Sequence, residues 1–162
     1  MARELPLVVD DILLSMVRAT NSVAEFPDDE QGVGLVLTVG GVTISGILIP
    51  NWIWFKKVEE YVRKRVPVSD DGSNGLAEFF SYFSNELISL REETAKISRV
   101  IDELPEIARQ AVTESDRTEF IHLDDARVYQ PGHPGLPANG MLWRGRLKDI
   151  SGWSLGLFEP RQ

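Results

Sequence analysis

Near the start of the chain, apolar residues recur at spacings of three and four positions. They are Leu5, Val8, Val9, Ile12, Leu13 and Met16. This period matches one face of an α-helix, and Pro6 suits the first turn of such a helix. The pattern therefore predicts an N-terminal amphipathic helix over about 5–20, ending near Asn21 and Ser22.

The period then changes to one typical of strands. The stretch GLVLTVGGVTISGILI is rich in β-branched and aliphatic residues, with Gly40 and Gly41 between its two halves. A glycine pair between two such runs indicates a β-hairpin with a two-residue turn. Gly46, inside the second run, predicts a bend or bulge in that strand.

A helical pattern returns after Pro50. NWIWFKKVEEYVRKR has one apolar stripe, and VPVSDDGSNG has the composition of a loop. A longer apolar pattern at helical spacing runs over about 75–104, where Pro105 breaks it, and EIARQAV indicates a further short helix. The whole region 51–114 is predicted to be a helical insertion.

The strand pattern resumes in the last third of the chain. EFIHLDDARVYQ predicts a strand and PGHPGLPANG a loop, while MLWRGRLKDI and WSLGLFE predict two strands that meet near Ser151 and Gly152. The chain is therefore predicted to be a single α+β domain over 1–162. Its β-core, 33–49 plus 118–159, would form a small antiparallel five-stranded sheet or a partly open barrel. The N-terminal helix would precede this core, and the insertion would separate strands 2 and 3.

Composition narrows the classes of function. The 162 residues carry a formal net charge of −8 and no cysteine. An acidic chain is a poor partner for nucleic acid or anionic membrane, and the lack of cysteine excludes disulfides and thiolate metal sites. The N-terminus lacks the pattern of a signal peptide, and no apolar run is long enough for a transmembrane helix. We therefore expect a cytoplasmic protein that binds neither membrane nor nucleic acid.

Candidate catalytic and metal-binding groups are few. His122 and Asp124 would share one face of a strand, but the remaining histidine, His133, lies in the Pro/Gly loop, so a zinc site lacks ligands. The adjacent acidic pairs, such as Asp124 with Asp125, lie in or beside loops, where carboxylates are usually solvated. No nucleophile elbow, phosphate loop or dinucleotide motif occurs. We therefore expect no enzyme activity, no metal and no cofactor.

Two surfaces are candidates for partner binding. KKVEEYVRKR is typical of the solvated face of a helix, although it could also contact an acidic partner. The helical insertion carries more apolar surface than a small sheet can cover, so part of it is expected to pack against another helix of the chain, another subunit or a partner protein. The residues of this possible partner surface are Trp54, Phe55, Phe79, Phe80 and Phe83.

The β-core resembles two known groups. A helix followed by five strands resembles the Sm-like fold, in which WRGRLKDI would correspond to the fourth strand and would imply RNA binding. Several short motifs resemble the GvpU family of gas vesicle accessory proteins more closely. The motif residues are Ile44, Ser45, Gly46, Phe120, Ile121, His122, Leu123, Trp143, Arg144, Gly145, Gly152, Trp153, Leu155 and Gly156.

The resemblance to the GvpU family implies a non-enzymatic accessory protein. Such a protein would associate with itself, with the gas vesicle shell or with other gas vesicle proteins, and it would influence vesicle assembly or clustering. The alternatives are an Sm-like RNA-binding module and an assembly or regulatory module unrelated to gas vesicles. Against RNA, strand geometry places Arg144 and Arg146 on one face and Trp143, Gly145 and Leu147 on the other. The segment is thus predicted to be the closing hairpin of the sheet, with Trp143 packed inward.

Overall fold

The computed structural model describes residues 9–23, 25–26, 32–70, 72–101 and 118–158, except for the side chains of 97–101. The helices are α1 (Asp11–Ser22), α2 (Asn51–Arg65) and α3 (Gly75–Ile101). The strands are β1 (Val33–Val39), β2 (Val42–Leu48), β3 (Phe120–Tyr129), β4 (Leu136–Arg146) and β5 (Ile150–Leu155). A 3₁₀ turn, Leu147–Asp149, links β4 to β5. The predicted short helix EIARQAV and the region around Pro105 lie outside the described residues.

The five strands form one antiparallel sheet in the order β4-β3-β2-β1-β5. The α+β prediction is confirmed, with a helix before the sheet and a helical insertion between β2 and β3. The sheet is not closed, because β4 and β5 are its two edges. The predicted hairpin turn is present: Gly40 and Gly41 have φ of 57° and 81°, which suits the tight turns that connect twisted strands.

The predicted closing hairpin is wrong. β4 pairs with β3, and β5 pairs with β1 at the opposite edge. Ser151 and Gly152 lie inside β5, and the turn is at Leu147–Asp149 instead. In a flat sheet the two edge strands would lie about 19 Å apart. A link of about four residues spans at most about 14 Å, so the sheet must curve strongly to bring its edges together.

The Pro/Gly stretch 131–140 is only half loop. β4 begins at Leu136 and includes Pro137, so the prediction of a loop through Gly140 is wrong for its second half. Leu136 pairs with Val128 of β3. Proline is compatible with this position because β4 is an edge strand, whose outer side needs no backbone donor.

Helix α1 begins later than the predicted residue 5. Positions 5–8 lie outside the described residues, and Val9 and Asp10 precede the helix. The Asp10 carboxylate accepts hydrogen bonds from the backbone N–H groups of Ile12 (3.0 Å) and Leu13 (2.9 Å). These bonds satisfy helix-end donors, so Asp10 is the N-cap that sets the start of α1.

The sheet is covered on both faces. One core cluster joins Leu13 and Val17 of α1 to one face of the sheet, including Leu35 and Leu37. A second cluster on the other face joins Ile47 and Ile49 to Ile53, and Trp52, Trp54 and Leu142 pack against it. β2 contributes to both clusters because alternate residues of a strand point to opposite faces.

Helices α2 and α3 form a packed hairpin. Asn74 caps α3 by accepting from the backbone N–H of Ala77 (3.1 Å), and its amide donates to the carbonyl of Val66, just beyond α2 (3.2 Å). Ser84 donates to the carbonyl of Trp52 (3.2 Å) across the helix interface. Small buried residues at this interface, Ala77 and Ser84, allow the two helices to lie close together.

Candidate interaction surface

Two of the motif residues on β2 hold other parts of the chain in place. Ser45 is 4% exposed, and its hydroxyl accepts a hydrogen bond from the backbone N–H of Phe158 (2.9 Å). At Gly46, a Cβ would lie 3.0 Å from both the Cα of Ala126 and the carbonyl oxygen of Asp124. The register between β2 and β3 shifts between Ser45 and Ile47, which confirms the predicted irregularity at Gly46.

The segment after β5 crosses one face of the sheet. Gly156 donates to the carbonyl of Gly34 on β1 (2.8 Å), and Phe158 reaches Ser45 on β2. Tyr129 on β3 donates its hydroxyl to the carbonyl of Phe158 (2.6 Å), and the two rings pack edge to face with centroids 4.7 Å apart. The segment 156–158 is therefore tied to three successive strands.

The motif tryptophans belong to the fold. Trp143 and Trp153 both pack against the core cluster that contains Leu147, as the face analysis predicted for Trp143. A side chain at Gly145 would clash with the Trp143 ring, so the ring occupies the space that this glycine leaves. The pKa of Asp10 is lowered mainly by the hydrogen bond from the backbone N–H of Leu13. The Trp153 side chain and the backbone N–H of Ile12 lower it to a smaller extent.

His122 is the motif residue that joins the sheet to the helices. It is 4% exposed, and its ring centroid lies 5.3 Å from that of Trp54 and 6.2 Å from that of Phe55. Arg144 donates through Nε to Nε2 of His122 (3.2 Å). Burial, and then the charge of Arg144, lower the pKa of His122 to about 3. The imidazole is therefore neutral at neutral pH, and its proton lies on Nδ1 because Nε2 accepts.

Arg144 does lie against an aromatic ring, although not that of Trp143. Its guanidinium carbon is 3.6 Å from the centroid of the Phe120 ring on the neighbouring strand. In the register of β3 against β4, His122 lies opposite Arg144 and Phe120 lies opposite Arg146. These four side chains therefore share one face of the two strands. Partial burial lowers the pKa of Arg144. The sequence correctly predicted that Arg144 and Trp143 lie on opposite faces of β4. It did not predict that Arg144 would contact Phe120 on the neighbouring strand.

The aromatic residues of the helical hairpin form a continuous exposed surface. Phe79 is 52% exposed, Tyr82 63% and Leu76 48%, and we call these three residues together with Phe83 the aromatic face. Phe79 packs on Phe83 (centroids 4.9 Å apart), and Phe83 stacks on Phe55 of α2 at 5.6 Å.

The five predicted partner-surface residues thus divide into two groups. Phe79 and Phe83 lie on the exposed side of α3, whereas Trp54, Phe55 and Phe80 are half-buried beneath or beside them. The sequence did not single out Tyr82, because helical spacing alone does not show which face of α3 is exposed to solvent.

The basic stretch of α2 is largely engaged within the fold. Lys57 pairs with Asp124 (2.5 Å), Arg63 with Glu59 (2.8 Å), and the Arg65 guanidinium lies over the Tyr61 ring at 3.9 Å. The Arg63 and Arg65 contacts join residues four positions apart and agree with a helix face supported by local pairing, whereas Lys57 ties α2 to β3. Lys57, Tyr61 and Arg65 also line an open groove of about 750 Å³ between α2 and β4.

The candidate metal pair is occupied by other contacts. His122 accepts from Arg144, and Asp124 accepts from Lys57. His133 lies apart, in the loop before β4. Within the described ranges, no three His, Asp or Glu side chains converge on a metal position. No helix in the same ranges is long and apolar enough to span a bilayer.

Comparison with protein families assigns the chain to the gas vesicle proteins. A family model described as "Gas vesicle protein GvpU-like" matches residues 10–158, which is most of the chain. The chain therefore belongs to the GvpU-like family. No curated protein and no solved structure matches it.

Proposed function

We propose that this chain is a non-enzymatic gas vesicle accessory protein that acts by protein–protein association in the cytoplasm. It associates with itself and with the vesicle shell or other gas vesicle proteins, and so promotes vesicle assembly or clustering. Membership of the GvpU-like family supports the link to gas vesicles. Association as the mechanism is our inference from the molecular surface.

The observation that carries this proposal is the aromatic face. Leu76, Phe79, Tyr82 and Phe83 lie within two turns of one helix and are all more than a third exposed. Large contiguous apolar surfaces are uncommon on monomeric proteins and mark sites of association. Aromatic side chains in particular contribute much of the binding energy at protein interfaces.

Recovery of the protein with purified gas vesicles after centrifugation tests the proposal. The double variant Phe79→Ser, Tyr82→Ser should lose most of its binding, because each exposed ring contributes on the order of 1–2 kcal/mol once covered. Ile12→Ser is the matched control, since Ile12 is 65% exposed on the separate helix α1. It should bind as wild type does.

Circular dichroism and thermal unfolding of each variant separate lost contacts from lost folding. If folded wild-type protein does not bind vesicles, the shell-binding role is wrong. If the double variant binds as tightly as wild type, the aromatic face is not the contact surface. Light scattering tests self-association separately: the mass should exceed that of one chain and fall in the double variant.

A further inference from the structure

Arg144 has hydrogen-bond donors that its contacts within the fold leave available. One nitrogen, Nε, donates to His122, and one face of the guanidinium covers the Phe120 ring. Lys57, Arg63 and Arg127 each pair with a carboxylate, whereas no carboxylate of the described residues pairs with Arg144. The side chain is exposed, so its terminal Nη groups can reach a partner.

Arg144 is connected to the aromatic face through the rings of His122 and Phe55. Ring contacts run without a break from Phe79 to Phe83, from Phe83 to Phe55, and from Phe55 to His122, which holds Arg144. A partner lying on the aromatic face of α3 and extending across Phe55 would therefore meet a cation at the sheet edge. The surface is apolar along most of its length and positive at one end.

A carboxylate is the group that matches this cation. Its two oxygens fit the paired N–H donors of a guanidinium, and such bonds are among the strongest in proteins. His122 and Phe120 fix the plane of the guanidinium, so little side-chain entropy is lost on binding. Partial burial beside apolar rings also strengthens the attraction relative to a fully solvated pair.

A protein fits this surface better than a nucleic acid. The chain has a net charge of −8, and Arg146 is the only other cation on the described part of β4. Binding to a phosphate backbone requires several cations along its path, whereas here apolar rings occupy that path. The charge pattern matches an amphipathic helix with an apolar stripe and an acidic residue beside it.

We propose that Arg144, held by His122 and Phe120, binds a carboxylate on an amphipathic helix of a gas vesicle protein whose apolar side chains cover the aromatic face. This inference rests on the proposed function and specifies the chemistry of the partner.

Vesicle binding by Arg144→Gln tests this pairing. Glutamine keeps an N–H donor for His122 but removes the charge. Arg63→Gln is the matched control, because Arg63 is an exposed arginine that is already paired with Glu59. We expect Arg144→Gln to weaken binding to purified vesicles about tenfold or more, the loss typical of a charged interface pair. Arg63→Gln should stay within about twofold of wild type.

Chemical neutralisation of the vesicle carboxylates supplies the second arm. Vesicles are treated with a carbodiimide and ethanolamine, which converts accessible carboxylates into neutral amides. Wild-type binding should fall to the level of Arg144→Gln on untreated vesicles, and Arg144→Gln itself should lose no further affinity. This non-additivity identifies the carboxylate as the partner of Arg144.

Three outcomes would overturn the inference. Equal losses in Arg144→Gln and Arg63→Gln would indicate a general charge effect. If Arg144→Gln bound amidated vesicles more weakly than untreated ones, the vesicle carboxylates would be bound by a cation other than Arg144. Tight, strongly salt-dependent binding of a short RNA that requires Arg144 would indicate a nucleic-acid site. In the first two cases, loss of binding in Phe79→Ser, Tyr82→Ser would still support the proposed function.

Discussion

Replacing Ser45 with alanine should weaken the attachment of the segment 156–158 to the sheet by removing one of its three hydrogen bonds. The Ser45 hydroxyl accepts from the Phe158 N–H at 2.9 Å inside the fold, and alanine leaves this donor without its acceptor. An N–H that loses its partner in a buried position costs about 1–3 kcal/mol, and the partial exposure of Phe158 favours the lower half of that range. For a chain of this size, each kcal/mol lowers Tm by about 2–4 °C.

Ser151→Ala is the matched control for this change. The Ser151 hydroxyl likewise bonds to the backbone, here by donating to the carbonyl of Thr38 (3.1 Å), but Ser151 lies exposed on the edge strand β5. Loss of an exposed bond of this kind should change stability by no more than about 0.5 kcal/mol. Urea or thermal unfolding measures both variants. Hydrogen exchange of the Phe158 amide should become faster only in Ser45→Ala.

Tyr129→Phe extends the test, because Tyr129 holds the same residue through the Phe158 carbonyl. Once either anchor is lost, the other should stabilise the segment less. The double variant should therefore be more stable than the two single losses predict, by at least about 0.5 kcal/mol. Additive losses, or equal Tm changes in Ser45→Ala and Ser151→Ala, would show that Phe158 is not anchored as described.

Two further predictions concern packing and pH. Gly46→Ala should lower the urea midpoint, at a cost of about 1–3 kcal/mol, because its methyl group would crowd Ala126. Gly75→Ala, where a Cβ meets open space, should not destabilise, and equal effects would contradict the packing argument. His122 is neutral when folded, with its pKa lowered to about 3, but takes up a proton near pH 6.5 when unfolded. The free energy of unfolding of the wild type should therefore decrease as the pH is lowered from 6.5 to 3. This group contributes at most about 1.4 kcal/mol per pH unit to that decrease. His122→Gln should lack this contribution, so parallel urea-unfolding curves for the two proteins across this pH range would contradict the assignment.

Local features of the fold could be predicted from the sequence because their causes are local. The glycine pair at Gly40 and Gly41 determines the first hairpin, and the apolar period identifies α2 and α3. The start of α1 was predicted too early because the apolar period extends back through Val9, whereas the Asp10 side chain caps the first turn and so sets where the helix begins. Periodicity locates helices better than it locates their ends.

The pairing of β4 and β5 could not be predicted in the same way. Consecutive strands with a short link usually form a hairpin, and the pattern of MLWRGRLKDISGWSL allows one. In the structure the two strands do not pair, because the curvature of the whole sheet brings β5 beside β1. The contact of Arg144 with Phe120 depends on the register of β3 against β4, which no local pattern contains.

These contacts separate the residues that maintain the fold from those that can bind a partner. Ser45, Gly46 and Gly145 act inside the fold, so a binding defect in their variants would reflect the folded fraction. Phe79 lies outside it, so its variants report on contact. His122 belongs to both groups, because it packs against Phe55 and also holds Arg144. A partner that binds Arg144 therefore acts on the junction of the sheet and the helical hairpin, and binding at the aromatic face should stabilise that junction as a unit.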